Sequence, residues 1–105
     1  MSVFSKRLKE IRREAGLSQA RLGVLAGIDE MSASARMNQY ERGKHEPDSS
    51  MVERIARVLS VPVSFFYAED DDEAVLLRWF YRLSSEERAE LMQKMSGLIS
   101  GRRLG

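Results

Sequence analysis

Gly16, Gly27 and Gly43, with prolines at 47 and 62, divide the first sixty-odd residues of this chain into segments that fit only short helices. The stretch Leu17-Ser18-Gln19-Ala20-Arg21-Leu22 opens one of them. Ser18 offers a side-chain oxygen to the first turn, and Gln19 falls where the positive helix end attracts an anion. The run Tyr40-Glu41-Arg42-Gly43-Lys44, followed by Glu46-Pro47-Asp48, closes another. Gly43 can take the left-handed conformation that ends a helix, and Pro47 bars an immediate restart.

The 105 residues suffice for one domain, or for a small domain with an appendage. An apolar share of 43% supports a packed core. No run of ~18 apolar residues exists to span a membrane, and Met1-Ser2-Val3-Phe4-Ser5-Lys6-Arg7 has no signal-peptide apolar stretch. Cysteine is absent, which excludes disulfides and thiolate metal sites and suits a reducing cytoplasm. Net charge is only +1, but it is unevenly spread. Residues 1–47 hold nine Lys and Arg against six Asp and Glu (+3), and residues 48–105 hold eight against ten (−2). The basic half is the half with the helix signals, as a polyanionic partner requires.

Periodicity predicts helices throughout. Phe4, Leu8, Ile11 and Ala15 form the apolar stripe of a helix over about 3–15, with Lys6, Arg7, Lys9, Arg12 and Arg13 on its other faces. A second helix runs from about Ser18 to Ala26, and a third ends near Arg42. Asp48 caps a fourth, whose inner face is Val52, Ile55, Ala56 and Leu59. Ser64-Phe65-Phe66-Tyr67 suggests one more helical turn. Asp70-Asp71-Asp72-Glu73 suits a solvated helix N-terminus and lacks the spacing of a calcium loop. A helix over about 72–83 follows, with Val75, Leu76, Trp79, Phe80 and Leu83 as its stripe. Ser84 to Glu87 fits a capping box before a last helix that turns Leu91, Met95, Leu98 and Ile99 inward. Residues 101–105 should fray.

Over residues 4–67 the chain resembles the Xre family of helix-turn-helix regulators, with the lambda-repressor and Cro-like fold. The resemblance rests on Leu17-Ser18-Gln19 and Leu22, Ala26-Gly27-Ile28, Tyr40 to Lys44, Glu46-Pro47, and Ile55-Ala56, Leu59, Val61-Pro62 and Phe65-Phe66. It implies a five-helix DNA-binding domain over residues 1–68, and with the helical periodicity beyond it the chain is expected to be all-α, with a C-terminal two-helix extension over 69–105. It also implies a transcriptional regulator, expected to be a repressor, that binds a two-fold operator on double-stranded DNA as a homodimer. The expected location is the bacterial cytoplasm, on the nucleoid when bound.

The resemblance makes the segment ending at Gly43 the recognition helix. Polar side chains there can reach base edges in the major groove. Met37 and Tyr40 turn inward, and Ser32, Ala35, Arg36 and Gln39 share an exposed face. Arg36 suits guanine and Gln39 adenine. Asn38 and Ser34 are further contacts. Gln19 is implied to grip the phosphate backbone, with Ser18 and Arg21 beside it, and Arg42, Lys44 and His45 to hold the next phosphate. Glu41 is implied to pair with Arg12 as a structural salt bridge.

Between Gly27 and Tyr40 the chain is four residues longer than the family pattern, within Asp29 to Ala35. Either the recognition helix gains a turn capped by Asp29, or the preceding loop is longer and Ser32 is the cap. Composition favours the extra turn, because Ala, Met and Glu are good helix formers and Gly and Pro are absent there. Gly23 replaces the family's alanine, as close helix packing would require, and Val24 and Leu25 are expected to cover the added turn.

Beyond Tyr67 the resemblance ends. Trp79, Phe80, Leu91, Met95 and Leu98 read as packing residues, and a unit this small needs a partner surface. Dimerisation is the favoured use. An antitoxin-like module that captures another protein, with DNA binding secondary, is the rival. An enzyme finds no support: His45 is the only histidine, and no phosphate loop or triad is present. No metal, cofactor or small-molecule ligand is expected.

Overall fold

The computed structural model describes residues 2–102; the end of the expected frayed tail, residues 103–105, lies outside the described residues. Within that range the chain is all-helical, with no strand. Four helices come first: α1 (Val3–Glu14), α2 (Gln19–Leu25), α3 (Glu30–Glu41) and α4 (Ser49–Leu59). A 3-10 turn (Val63–Tyr67), α5 (Asp71–Arg82) and α6 (Ser85–Ile99) follow.

Local chemistry sets most of these boundaries. Ser18 Oγ accepts from the Arg21 amide (3.0 Å), and Asp48 Oδ1 from the Met51 amide (2.8 Å). Asp29 Oδ2 accepts from the Met31 amide at 3.0 Å, so the four extra residues form an added first turn of α3. Ser84 and Glu87 complete a capping box at α6. Gly43, at φ +72°, ends α3, and Ser60 ends α4 in the same left-handed region at φ 55°.

The core lies among α1 to α4 and the 3-10 turn. Leu8, Leu22, Met37, Ile55 and Phe66 are fully buried in it, each contributing about 1.5–3 kcal/mol by leaving water. Phe4 stacks obliquely on Phe66, with ring centroids 5.1 Å apart. Arg54 Nε donates to the Ala26 carbonyl (2.8 Å), tying α4 to the end of α2.

Arg7 departs from its expected place on the polar side of α1, since only 2% of it is exposed. Its guanidinium donates to the carbonyls of Ala68 (2.9 Å) and Glu69 (3.1 Å) and pairs with Asp71 (2.9 Å). Those partners satisfy a charge that would otherwise be costly to bury. Ala15, placed on the apolar stripe by periodicity, is instead the exposed cap of α1.

The appendage also departs from the expected packing. α5 meets the body through Ala74 and Leu77, and Arg78 holds Glu14 of α1 at 2.8 Å. Asp71, Ala74 and Arg78 are one and two turns apart, so the Arg7 and Glu14 pairings fix which face turns inward. Leu76 and Trp79 consequently face solvent, and Trp79 is 65% exposed. No residue of α6 is buried, and Leu98 is 72% exposed. Leu91 and Met95 are half-buried and Ile99 is exposed, so among the described residues nothing buries this stripe. α6 is anchored near its start by Arg88, which donates to the Phe80 and Tyr81 carbonyls and lies 4.6 Å over the Phe80 ring. The molecule is elongated, with a radius of gyration of 16.4 Å against about 13 Å for a compact chain of this length.

Candidate nucleic-acid interface

α2 and α3 pack more closely than ordinary side chains allow, and Gly23 is the reason. A β-carbon there would lie 2.7 Å from the Ala33 β-carbon and 3.0 Å from its carbonyl oxygen. This contact joins the later part of α2 to the first turn of α3, and the start of α2 then lies beside the C-terminal part of α3, where Gln19 reaches Asn38 and Glu41. Val24 and Leu25, expected to cover the added turn, are 39% and 44% exposed.

Behind the outer surface runs a polar chain from α1 to α3. The Arg12 guanidinium forms two bonds to the Glu41 carboxylate, one of them 3.1 Å long, and a third to the Leu17 carbonyl (2.8 Å). Glu41 is 2% exposed. Gln19 Nε2 donates to Glu41 Oε1 (3.1 Å) and to Asn38 Oδ1 (3.2 Å). Both amide protons of Gln19 are therefore directed into the protein, and the Asn38 amide is held in one orientation. The link from Glu41 to Gln19 was invisible in the sequence, because it depends on the angle at which α2 meets α3.

The outer side of α3 is assembled by exclusion. Ala33, Met37, Tyr40 and Glu41 are buried. Ser34, Ala35, Arg36 and Gln39 are left exposed, while Ser32 and Asn38 are half-buried at the edges. Arg42, Lys44 and His45 are exposed just past the C-terminal end, and Ser18 and Arg21 at the start of α2. Arg36, Gln39, Tyr40, His45 and Glu46 line an open concavity of about 290 Å³. The structure thus brings together Gln19, Asn38, Glu41 and Arg12, and separately Arg36, Gln39 and His45. The residues named for dimerisation lie elsewhere, on α5 and α6. Phe80 sits under Arg88, whereas Trp79 and Leu98 are open.

A family profile described as a helix-turn-helix domain matches residues 3–64. Over 98 residues the chain is 30% identical to the SPbeta prophage-derived uncharacterized HTH-type transcriptional regulator YonR of Bacillus subtilis (strain 168), an alignment covering 84% of this chain and 87% of that protein. It is 33% identical over 63 residues to an uncharacterized HTH-type transcriptional regulator of Sinorhizobium medicae (strain WSM419). That match takes in 60% of this chain and 42% of the relative, so the chain spans less than half of that protein. Among solved structures, the transcriptional regulator BswR superposes with a TM-score of 0.87 at 42% identity, over 98% of this chain and 100% of that one. The likeness therefore extends through α5 and α6.

Proposed function

This chain belongs to the helix-turn-helix family of transcriptional regulators, and from that membership we propose that it binds a two-fold operator as a homodimer and represses transcription there. The family's members are DNA-binding proteins, not enzymes. The observation that carries the finer reading is the partition of α3. One side is locked to α1 and α2, while the other leaves Arg36 and Gln39 in water. In this reading α3 enters the major groove. Arg36, Asn38 and Gln39 meet base edges, with Ser32 and Ser34 at the margin. Ser18, Arg21, Arg42, Lys44 and His45 line the flanking phosphates, and Gln19, whose side-chain amide protons are taken by Asn38 and Glu41 and not by a phosphate as expected, faces them through its backbone N–H at the start of α2.

Residues 1–68 serve as the DNA-binding unit and 69–105 as the pairing unit. What supports pairing is exposed apolar side chains, Trp79 on α5 and Met92 and Leu98 on α6, that no other described residue covers. Large apolar side chains left in water are candidates for an interaction site, and a two-fold operator calls for a two-fold protein. Repression needs nothing beyond occupancy, since a bound dimer excludes other proteins from the same duplex. The protein then resides on the nucleoid.

Selection of bound duplexes from a random DNA pool tests this reading. The expected outcome is an inverted repeat with half-sites spaced by about one helical turn, 10–10.5 bp, or a multiple of it. Sedimentation should give a dimer at tens of micromolar. A monomer with and without the recovered duplex rejects the pairing, and a pool that yields no preferred sequence rejects base reading.

A further inference from the structure

The added first turn of α3 carries an apolar residue where none is needed for folding. Met31 is 92% exposed, and no other large apolar side chain among the described residues is as open. Ala35 stands one turn further along the same side and is also exposed. Asn38 and Gln39 straddle the continuation of this line, and the buried residues Ala33, Met37 and Tyr40 lie on the opposite side of the helix. We propose that Met31 and Ala35 form a narrow apolar strip that reads thymine methyl groups in the major groove. This rests on the reading of α3 as the groove helix and adds a second mode of base recognition to its hydrogen bonds.

Three features favour a base over another protein surface. The strip is only one side chain wide, with Ser34 and Asn38 along one edge and Ser32 and Gln39 along the other. That width matches isolated methyl groups better than a packed side-chain cluster. Positive charge at Arg36, Arg42 and Lys44 runs from the middle of α3 past its C-terminal end, where phosphates would approach, while Asp29 and Glu30 flank Met31 at the opposite end, so the strip itself would meet base edges and not the backbone. In the major groove, finally, thymine alone carries a methyl group, and apolar side chains discriminate it by contact. Positions four apart on a helix are separated by about 6 Å along the axis. Two base-pair steps of about 3.4 Å span nearly the same distance, so the two methyl groups should lie within two or three base pairs of each other.

Replacing thymine by 2′-deoxyuridine removes only the methyl group. In the duplex recovered from the random pool, each thymine is replaced singly and affinity is measured for the full-length protein. The wild type should lose about fourfold at one or two thymines per half-site, the value of one buried methyl-sized group. Met31→Gln keeps the length of the side chain and its helix preference at an exposed position, so its melting curve should match the wild type. It should bind the thymine and uracil duplexes alike at one of the sensitive positions. The proposal is overturned if the wild type binds every uracil duplex as tightly as its parent, or if Met31→Gln retains the full discrimination; operator binding itself stands in either case. A pool with no preferred sequence instead removes the reading of α3 on which the strip depends.

Discussion

Gly23 and Ala33 meet so closely that a methyl group on the glycine would lie 2.7 Å from that of the alanine. The contact sets the spacing of α2 and α3, and with it the position of Gln19 beside Asn38. Gly23→Ala gains helix propensity of up to ~1 kcal/mol, but overpacking against backbone atoms costs ~1–3 kcal/mol. A net loss of about 1–2 kcal/mol is expected by urea denaturation. An unchanged or raised midpoint would mean that the helices separate freely.

The Arg12–Glu41 pair is inaccessible enough that removing one partner strands the other. Glu41→Ala should cost about 3–5 kcal/mol and release Gln19 from one of its two acceptors. Joint replacement by Met at position 12 and Leu at 41 should cost less, since neither charge is then left alone. Thermal and chemical melts of the single and double variants decide this. A Glu41→Ala protein as stable as the wild type rejects a structural role for the pair.

Base and phosphate contacts should separate by salt and sequence. Gln39→Ala is expected to lose about 1–3 kcal/mol on the selected operator and little on random duplex. Lys44→Ala should weaken binding to both and reduce the salt slope by about 1. Equal losses on both duplexes for Gln39→Ala would reassign Gln39 to the backbone.

Acid should loosen α5 from α1. The hydrogen bond from Arg78 holds the Glu14 carboxyl below its ordinary pKa of 4.5; burial opposes this, and the charges of Arg78 and Arg82 add to it. A lowered folded-state value means that this stabilisation is complete above the unfolded value and disappears as pH falls through the folded one. Glu14→Gln should therefore be less stable than the wild type at pH 7 and nearly equal to it well below pH 4.5. Because Glu14 is more than half exposed, the gap at pH 7 should be at most ~1 kcal/mol. A constant gap between the two melts at both pH values would exclude this ion pair as its source.

The helix boundaries were readable because their signals are local. Ser18, Asp48 and the Ser84–Glu87 box announce helix starts within a few residues of where they act, and Gly43 announces a stop. Asp29 and Ser32 both qualified as caps for the inserted segment, and the structure places the cap at Asp29. Arg7 was misplaced because periodicity counts any arginine as solvent-facing. Its burial depends on carbonyls at Ala68 and Glu69, about sixty residues away in sequence. The α6 stripe exposed a different limit. Spacing identifies which face of a helix is apolar, but not whether anything lies against it. Among the candidate interface residues, exposure at Arg36 and Gln39 followed from the helical wheel, whereas the inward turn of the Gln19 amide required the crossing of two helices.

Arg7 and Arg78 tether the C-terminal part of the chain to α1, a helix that also supports α3 from another side through Arg12. The molecule is therefore organised around a shared spine, with α3 and the exposed apolar side chains of α5 and α6 attached to different sides. If α3 reads the operator and the second face pairs copies, substitutions along Leu76, Trp79, Met92 and Leu98 would change the company such a protein keeps while leaving its address intact.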